Sequence, residues 1–115
     1  MKPYCVTFVS YILPAVRILV AEVLVEKYGL RQKTVAEKMD LTPAAINHYL
    51  RRLRSNQTII EKIRSDDTVF TKIRQIIQHL AEEEMDISST KIITMVCEVC
   101  CLTRENEGFR EIINR

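Results

Sequence analysis

Apolar residues recur at helical spacing along most of the chain, and this pattern predicts an all-α protein. The stretch Tyr11–Tyr28 is apolar over more than a single stripe, which predicts a helix that is buried on more than one side. Gly29 follows it and is well suited to end a helix. The 115 residues contain only two glycines and three prolines, a composition that also favours helices over turn-rich architectures.

The C-terminal half shows the same helical periodicity. A helix is predicted over residues 68–84, with Asp67 placed to cap it, and further helices are predicted over residues 58–64, 90–102 and 104–115. The apolar seam of the helix predicted over residues 68–84 consists of Phe70, Ile73, Ile76, Ile77 and Leu80. This seam and the helix at Tyr11–Tyr28 together supply enough apolar surface for a core, a partner interface, or both.

Between these regions, residues 31–54 have the sequence RQKTVAEKMDLTPAAINHYLRRLR, which predicts two short helices joined by a tight turn. In the first helix, Val35, Ala36 and Met39 are apolar at helical spacing. Leu41 follows the turn, where an apolar side chain can fill the angle between the two helices. The pattern is that of a helix-turn-helix unit.

The second helix of this unit has a well-defined start and two contrasting sides. Thr42 is a good N-cap, and Pro43 then occupies the first helical position, where its missing N–H has no cost. The inner side carries Ala45, Ile46, Tyr49, Leu50 and Leu53. The outer side carries Asn47, His48, Arg51, Arg52 and Arg54 and no acidic residue. A helix with small residues at its start and cationic residues at its end suits the major groove of double-stranded DNA.

We therefore expect the first turns of the second helix to face base edges and its arginines to hold phosphates. Asn47 is the best candidate reader, because an amide side chain pairs bidentately with adenine. Helix-turn-helix pairs also occur as plain packing units, but Gln32 at the start of the first helix, the Thr42–Pro43 cap and the basic end of the second helix favour DNA binding. The predicted DNA contacts are Gln32, Lys33, Thr42, Ala44, Ala45, Asn47, His48, Arg51, Arg52 and Arg54.

At these residues the chain resembles the Cro/phage-repressor (XRE-type) class of helix-turn-helix regulators. The matching positions are Gln32 at the start of the first helix, Ala36 at the helix crossing, Leu41 in the turn, and Thr42, Ile46 and Tyr49 in the second helix. One departure is Asp40, which stands where the class has a turn glycine. Aspartate tolerates the left-handed backbone conformation better than most residues, so the departure is compatible with the turn.

The charge is distributed unevenly along the chain. Residues 1–79 hold 13 Lys and Arg against 7 Asp and Glu, a balance of +6, whereas residues 80–115 hold 4 against 8, a balance of −4. The N-terminal part therefore has the charge expected of a protein that binds a polyanion. Arg17, Glu22 and Glu26 interrupt the apolar N-terminal stretch, so we expect no secretory signal, no membrane span and a cytoplasmic location.

Three of the four cysteines lie within Cys97-Glu-Val-Cys100-Cys101, so on a helix their thiols can share one face. Cys5 can join them if the N-terminal segment packs on the C-terminal helix, as Val6, Phe8 and Val9 permit. Four thiolates suffice for tetrahedral zinc or for an iron–sulfur cluster. Two alternatives stay open: the cysteines fill the core as small hydrophobes, or their thiols form a redox-switched disulfide.

The whole chain is similar to a group of short archaeal predicted transcriptional regulators. Members have a cysteine near the N-terminus, this helix-turn-helix motif and a C-terminal Cys-x-x-Cys, matched here by Cys5, Gln32–Leu50, Cys97 and Cys100. The resemblance implies that Cys5, Cys97 and Cys100 are ligands of a metal or an iron–sulfur cluster, with Cys101 as a further candidate.

These observations predict an all-α transcriptional regulator with a helix-turn-helix DNA-binding region at residues 1–57 and a C-terminal helical extension at 58–115 for dimerisation and sensing. A homodimer is expected because one short recognition helix reads few base pairs and twofold pairing doubles the contact. No phosphate loop, serine nucleophile elbow or His-Glu-x-x-His motif is present, so we do not expect an enzyme. The alternative is a helical metal- or redox-sensing adaptor that does not bind DNA.

Overall fold

The computed structural model describes residues 3–51, 57–82 and 89–109. Within these ranges the backbone forms six helices and no strand, and residues 107–109 begin a further helical stretch. The all-α class predicted from the sequence is therefore confirmed. The helices are α1 (Tyr4–Glu26), α2 (Gln32–Lys38), α3 (Pro43–Arg51), α4 (Gln57–Ser65), α5 (Asp67–Glu82) and α6 (Thr90–Arg104).

Helix α1 begins seven residues before the predicted start at Tyr11 and crosses Pro14 without a break. A proline inside an α-helix lacks the N–H that would bond to the carbonyl four residues earlier. Here the helix widens into a π-helical stretch at Phe8–Ile12, in which the Leu13 N–H donates to the Phe8 carbonyl. The wider turn accommodates the proline, so a residue that commonly marks a first turn lies well inside a helix.

The end of α1 agrees with the prediction from Gly29. The backbone of Gly29 has a φ of +66°, and the N–H of Leu30 then bonds to the carbonyl of Leu24 at 3.1 Å. Glycine adopts this left-handed conformation without steric cost. The chain thereby leaves α1 and turns directly into α2.

Helix α1 lies at the centre of the hydrophobic core. It packs against α2 and α3 on one side and against α4 and α5 on another, which confirms the expected burial on more than one side. Ile12, Ala15, Leu19 and Leu24 are fully buried. The α1 core is therefore shared by helices from both of the predicted regions, 1–57 and 58–115.

Helix α5 buries its apolar seam against α1, α4 and α6, with one difference from the predicted set. Val69 is buried, whereas the adjacent Phe70 is only half-buried and lies under the guanidinium of Arg74, 5.1 Å from its ring centre. The remaining predicted seam residues are all buried: Ile73, Ile76, Ile77 and Leu80. The seam thus belongs to the core of one chain.

The sequence predicted Asp67 as the cap of α5, and this prediction is wrong, because the capping residue is Asp66. One carboxylate oxygen of Asp66 accepts a hydrogen bond from the Val69 N–H at 3.1 Å. Its other oxygen accepts from the amide of Asn106 at 2.6 Å. Asp66 is held by this contact from the end of α6, which the local sequence does not reveal.

Among the described residues, Tyr4–Glu26 has the length and apolar composition to cross a membrane, with a mean hydropathy of 2.0. Half of the apolar window is buried inside the fold. The central helix of a soluble domain meets the same criteria, and the contacts of α1 with four other helices account for its apolar composition.

Candidate functional site

The turn between α2 and α3 is fixed by three successive backbone features. Asp40 has a φ of +54°, the left-handed conformation expected where the related class has glycine. The N–H of Asp40 donates to the Glu37 carbonyl at 3.3 Å, and the N–H of Leu41 donates to the Ala36 carbonyl at 2.8 Å. These two bonds form a Schellman motif, which satisfies the last carbonyls of α2 and reverses the chain direction.

Helix α3 starts at the predicted cap. The hydroxyl oxygen of Thr42 accepts a hydrogen bond from the Ala45 N–H at 3.1 Å, and the Thr42 carbonyl accepts from the Ile46 N–H at 3.2 Å. Pro43 is the first residue of the helix, as expected. The Thr42 cap and the Schellman turn together define the direction of α3 relative to α2.

The inner faces of α2 and α3 pack on α1, which fixes both helices to the core. Val35 and Ala36 are buried on α2, Met39 is buried at its end, and Ile46 is fully buried on α3. Tyr49, Leu50 and the turn residue Leu41 are half-buried and pack against this core. The inner side of the unit, as far as the structure describes it, is thus the predicted one.

The opposite side of α3 faces solvent. Asn47, His48 and Arg51 are exposed there, and α3 carries no acidic residue. Ala45 is half-buried, so its side chain is less available than expected and its N–H serves the Thr42 cap. Arg52 and Arg54 lie outside the described residues. The other predicted contacts are also exposed, namely Gln32, Lys33, Thr42 and Ala44.

Cys5 lies near the start of α1, and Cys97, Cys100 and Cys101 lie on α6. The Tyr4 hydroxyl donates to the hydroxyl oxygen of the buried Thr103 at 2.8 Å, which ties the start of α1 to the end of α6. Thr103 in turn donates to the Cys100 carbonyl at 3.0 Å. The N-terminal segment therefore packs on the C-terminal helix, as the predicted approach of Cys5 requires.

The ionisation of Cys100 depends on its burial and on the other three thiols. Burial raises the pKa of the Cys100 thiol above its ordinary value of 9.0, and the thiolates of Cys101, Cys5 and Cys97 act in the same direction, while Arg104 opposes them. Cys5, Cys97 and Cys101 are exposed, Cys100 is half-buried, and all four are free thiols. The alternative in which all four cysteines fill the core therefore does not describe this arrangement.

The thiols are nevertheless not arranged as a ligand set. Among the described residues, which include all four cysteines, there is no group of three or more His, Cys, Asp or Glu side chains that could hold a metal ion. We therefore assign no metal-dependent step to this cluster, and a metal or iron–sulfur cluster at Cys5, Cys97, Cys100 and Cys101 stays a prediction from the sequence.

The capped two-helix unit, its attachment to α1 and its solvent-facing, acid-free second helix define a helix-turn-helix DNA-binding domain. Residues 20–107 match the ParB HTH domain family, and the chain belongs to this family. The matched range runs from the middle of α1 beyond the end of α6, so it includes the C-terminal helices as well as the two-helix unit. Comparison with curated proteins and with solved structures gives no match.

Proposed function

We propose that this protein is a sequence-specific regulator of transcription that places α3 in the major groove of double-stranded DNA. The observation that carries the proposal is the exposed, acid-free side of α3, held by the Thr42 cap and the Schellman turn at Asp40. The resemblance of this unit to the Cro/phage-repressor class and of the whole chain to short archaeal regulators supports the regulatory role. We propose that the protein works in the cytoplasm and is not an enzyme.

The first test is retardation of random duplex DNA at low salt, where phosphate contacts dominate the affinity. Arg51→Ala should weaken binding to every sequence and flatten the dependence of affinity on salt concentration. Lys91→Ala is the matched control, because it removes one exposed positive charge from α6, outside the two-helix unit. No retardation of the wild-type protein, or equal losses in the two variants, would contradict the proposal.

The second test concerns specificity and uses an operator selected from a random duplex library. Asn47→Ala should lower the free energy of specific binding by about 1–3 kcal/mol, the usual value of one bidentate contact with a base. Its binding to random duplex should stay close to that of the wild type. If Asn47→Ala keeps the wild-type preference for the operator, Asn47 is not a base reader.

Modulation by thiol chemistry is the finer part of the proposal, and exposed Cys97 and Cys101 support it. A two-electron oxidant such as a peroxide would convert the thiols of the Cys-x-x-Cys pair, Cys97 and Cys100, into a disulfide, with the peroxide reduced to water, and change the packing of α6. DNA affinity should then differ between protein treated with a thiol reductant and protein treated with peroxide. Elemental analysis of anaerobically purified protein distinguishes this mechanism from bound zinc or an iron–sulfur cluster.

The thiol cluster also supports a second candidate function, a redox- or metal-sensing adaptor whose helix-turn-helix unit only packs. The adaptor predicts no retardation of DNA at any salt concentration, together with a thiol-dependent change in the protein itself. The low-salt binding experiment therefore separates the two functions.

A further inference from the structure

A cavity of about 250 Å³ lies where the helix-turn-helix unit meets the C-terminal helices. It is lined by Leu13, Val16 and Val20 of α1, by Ile76 of α5 and, from the two-helix unit, by Met39. Helix α6 completes the lining with Ile93, Val96 and Cys97. Its walls are therefore formed almost entirely by aliphatic and sulfur-containing side chains.

Among the described residues that line this cavity, Arg17 is the only permanently charged one, and none is acidic. Its side chain is exposed, and no described residue forms an ion pair or a hydrogen bond with it. Other cations at helix contacts do have carboxylate partners: Arg64 pairs with Glu22 at 2.7 Å and Lys72 pairs with Glu98 at 2.6 Å. The guanidinium of Arg17 is thus available to an anion at the edge of an apolar cavity.

We propose that this cavity binds a small apolar carboxylate, with its hydrocarbon part against the aliphatic walls and its carboxylate on Arg17. A guanidinium matches a carboxylate in a bidentate geometry, and the hydrocarbon part of such a ligand gains from leaving water. An apolar cavity of about 150 Å³ holds benzene, so 250 Å³ suits a ligand of about ten non-hydrogen atoms. A straight-chain acid such as octanoate or an arylacetic acid such as phenylacetate has this size and chemistry.

The position of the cavity connects such a ligand to the DNA-binding unit. Met39 is the C-cap of α2, directly before the left-handed Asp40, so a ligand that moves Met39 acts on the turn that directs α3. This coupling rests on the proposed function, whereas binding of the carboxylate does not.

The test is isothermal titration of the full chain with octanoate. We expect one site per chain, with octan-1-ol binding at least tenfold more weakly because it lacks the carboxylate. Arg17→Gln should weaken octanoate binding at least tenfold, and Arg64→Gln is the matched control that should leave it unchanged. Phenylacetate in a parallel titration shows whether the site accepts aromatic as well as straight-chain acids.

A second variant probes the cavity itself. Ile93 is 49% exposed at the cavity edge, so Ile93→Trp can enlarge a side chain there without overfilling the buried core. It should weaken octanoate binding at least tenfold while keeping the wild-type circular dichroism spectrum and melting temperature. Absence of octanoate binding at millimolar concentration, or equal binding by the wild type, Arg17→Gln and Ile93→Trp, would overturn the proposal.

Retardation of operator DNA with and without octanoate then tests the coupling separately. A change in DNA affinity that disappears in Arg17→Gln supports it. Octanoate binding with unchanged DNA affinity overturns the coupling and leaves the carboxylate site in place. Octanoate binding by a protein that retards no DNA overturns the proposed function and again leaves the site in place.

Discussion

Asp40 holds a backbone conformation that most residues with a side chain avoid. Its φ of +54° allows the Leu41 N–H to reach the Ala36 carbonyl, and this bond turns the chain from α2 into α3. Aspartate is among the few non-glycine residues enriched in this conformation, but it still carries some steric cost there. The turn of the DNA-binding unit is therefore under mild local strain.

Replacement of Asp40 tests this strain directly. We expect Asp40→Gly to raise the free energy of unfolding by about 0.5 kcal/mol, since relief of the strain exceeds the extra freedom that glycine gives the unfolded chain. Asp40→Val should lower it by about 1–2 kcal/mol, because a β-branched residue tolerates positive φ poorly. Urea denaturation followed by circular dichroism measures both values.

Glu37→Gly is the matched control for Asp40→Gly, since Glu37 is exposed in the right-handed helix α2. It should lower the free energy of unfolding by about 1 kcal/mol, the usual cost of glycine inside a helix. If Asp40→Gly is destabilised to the same degree as Glu37→Gly, the turn is not strained at this residue.

The thiol of Cys100 is half-buried, whereas those of Cys97 and Cys101 are exposed. Because burial and then the nearby thiolates raise its pKa, Cys100 carries less thiolate near neutral pH than it would at its ordinary value. Iodoacetamide at pH 8 should therefore modify the exposed Cys97 and Cys101 before Cys100, as measured by mass spectrometry of proteolytic peptides. Equal initial rates at the three residues would contradict this order.

The dependence on pH separates the effect of charge from that of exposure. The reaction rate at Cys100 should keep rising above pH 9, as its raised pKa requires. By linkage, a thiol whose pKa is higher in the folded state favours folding fully below its unfolded pKa, and this contribution is lost as the pH rises through the folded value. Cys101→Ala should lower the pKa of Cys100, because the thiolate of Cys101 raises that pKa more than the thiolates of Cys5 and Cys97 do.

At the scale of elements, Asp66 joins the start of α5 to the end of α6. It caps α5 through Val69 and accepts a hydrogen bond from Asn106, whose other amide atom accepts from the Gly108 N–H at 2.9 Å. These bonds fix where α5 begins and where the helical stretch at residues 107–109 begins. The contact crosses 40 residues of sequence, so it also sets how α5 and α6 meet.

Removal of the contact between Asp66 and Asn106 should lower the free energy of unfolding. We expect Asp66→Ala to lower the free energy of unfolding by about 1–3 kcal/mol, because it removes a helix cap and leaves the Asn106 amide without its partner. Asp67→Ala is the matched control and should cost less than about 1 kcal/mol, since Asp67 is exposed and contributes mainly through the helix dipole. A double-mutant cycle with Asn106→Ala should give a coupling of at least about 0.5 kcal/mol.

Equal losses in the free energy of unfolding for Asp66→Ala and Asp67→Ala would show that neither residue acts as the cap of α5. Additive effects of Asp66→Ala and Asn106→Ala would show that the two side chains do not act together. Thermal unfolding and urea denaturation of the four variants provide the required free energies.

Local patterns predicted the elements whose signals lie close together in sequence. The Thr42 cap, the Gly29 stop and the buried positions of α2 and α3 follow from a few adjacent residues, and the structure confirms them. The exposed positions of Asn47 and Arg51 follow from the same helical spacing. The described part of the DNA-binding unit was therefore largely predictable.

Choices that depend on distant contacts were not predictable. Asp66 and Asp67 are equivalent locally, and only Asn106 distinguishes them. The N-terminal segment was expected to pack through Val6, Phe8 and Val9, yet Phe8 alone of these is buried, because the helix begins at Tyr4 and is tied to Thr103. A cavity formed by three helices and Met39 likewise has no local sequence signal.

For the whole molecule, the structure changes the basis for expecting a homodimer. The sequence argument relied on surplus apolar surface on the helix at Tyr11–Tyr28 and on the seam of α5, but most of these residues fill the core of a single chain. The exposed large apolar side chains of the described residues include three in the first half of α1. Those three are Val6, Val9 and Tyr11, which are 44%, 54% and 54% exposed.

We expect a homodimer that uses this N-terminal part of α1, since pairing buries the exposed apolar side chains and presents two recognition helices to a palindromic operator. Light scattering at micromolar concentration should give about twice the chain mass of 13.4 kDa. Val9→Glu should shift the protein towards the monomer, because a carboxylate in an apolar interface loses its hydration without gaining a partner.

Tyr28→Glu is the matched control, since Tyr28 is also an exposed large apolar residue, at 41%, but follows the opposite end of α1. It should leave the mass unchanged. A wild-type mass near 13.4 kDa would exclude the dimer, and a dimer that persists in Val9→Glu would exclude this surface. A monomeric Val9→Glu should also lose affinity for a two-half-site operator while keeping its affinity for a single half-site, because α3 lies outside the substituted surface.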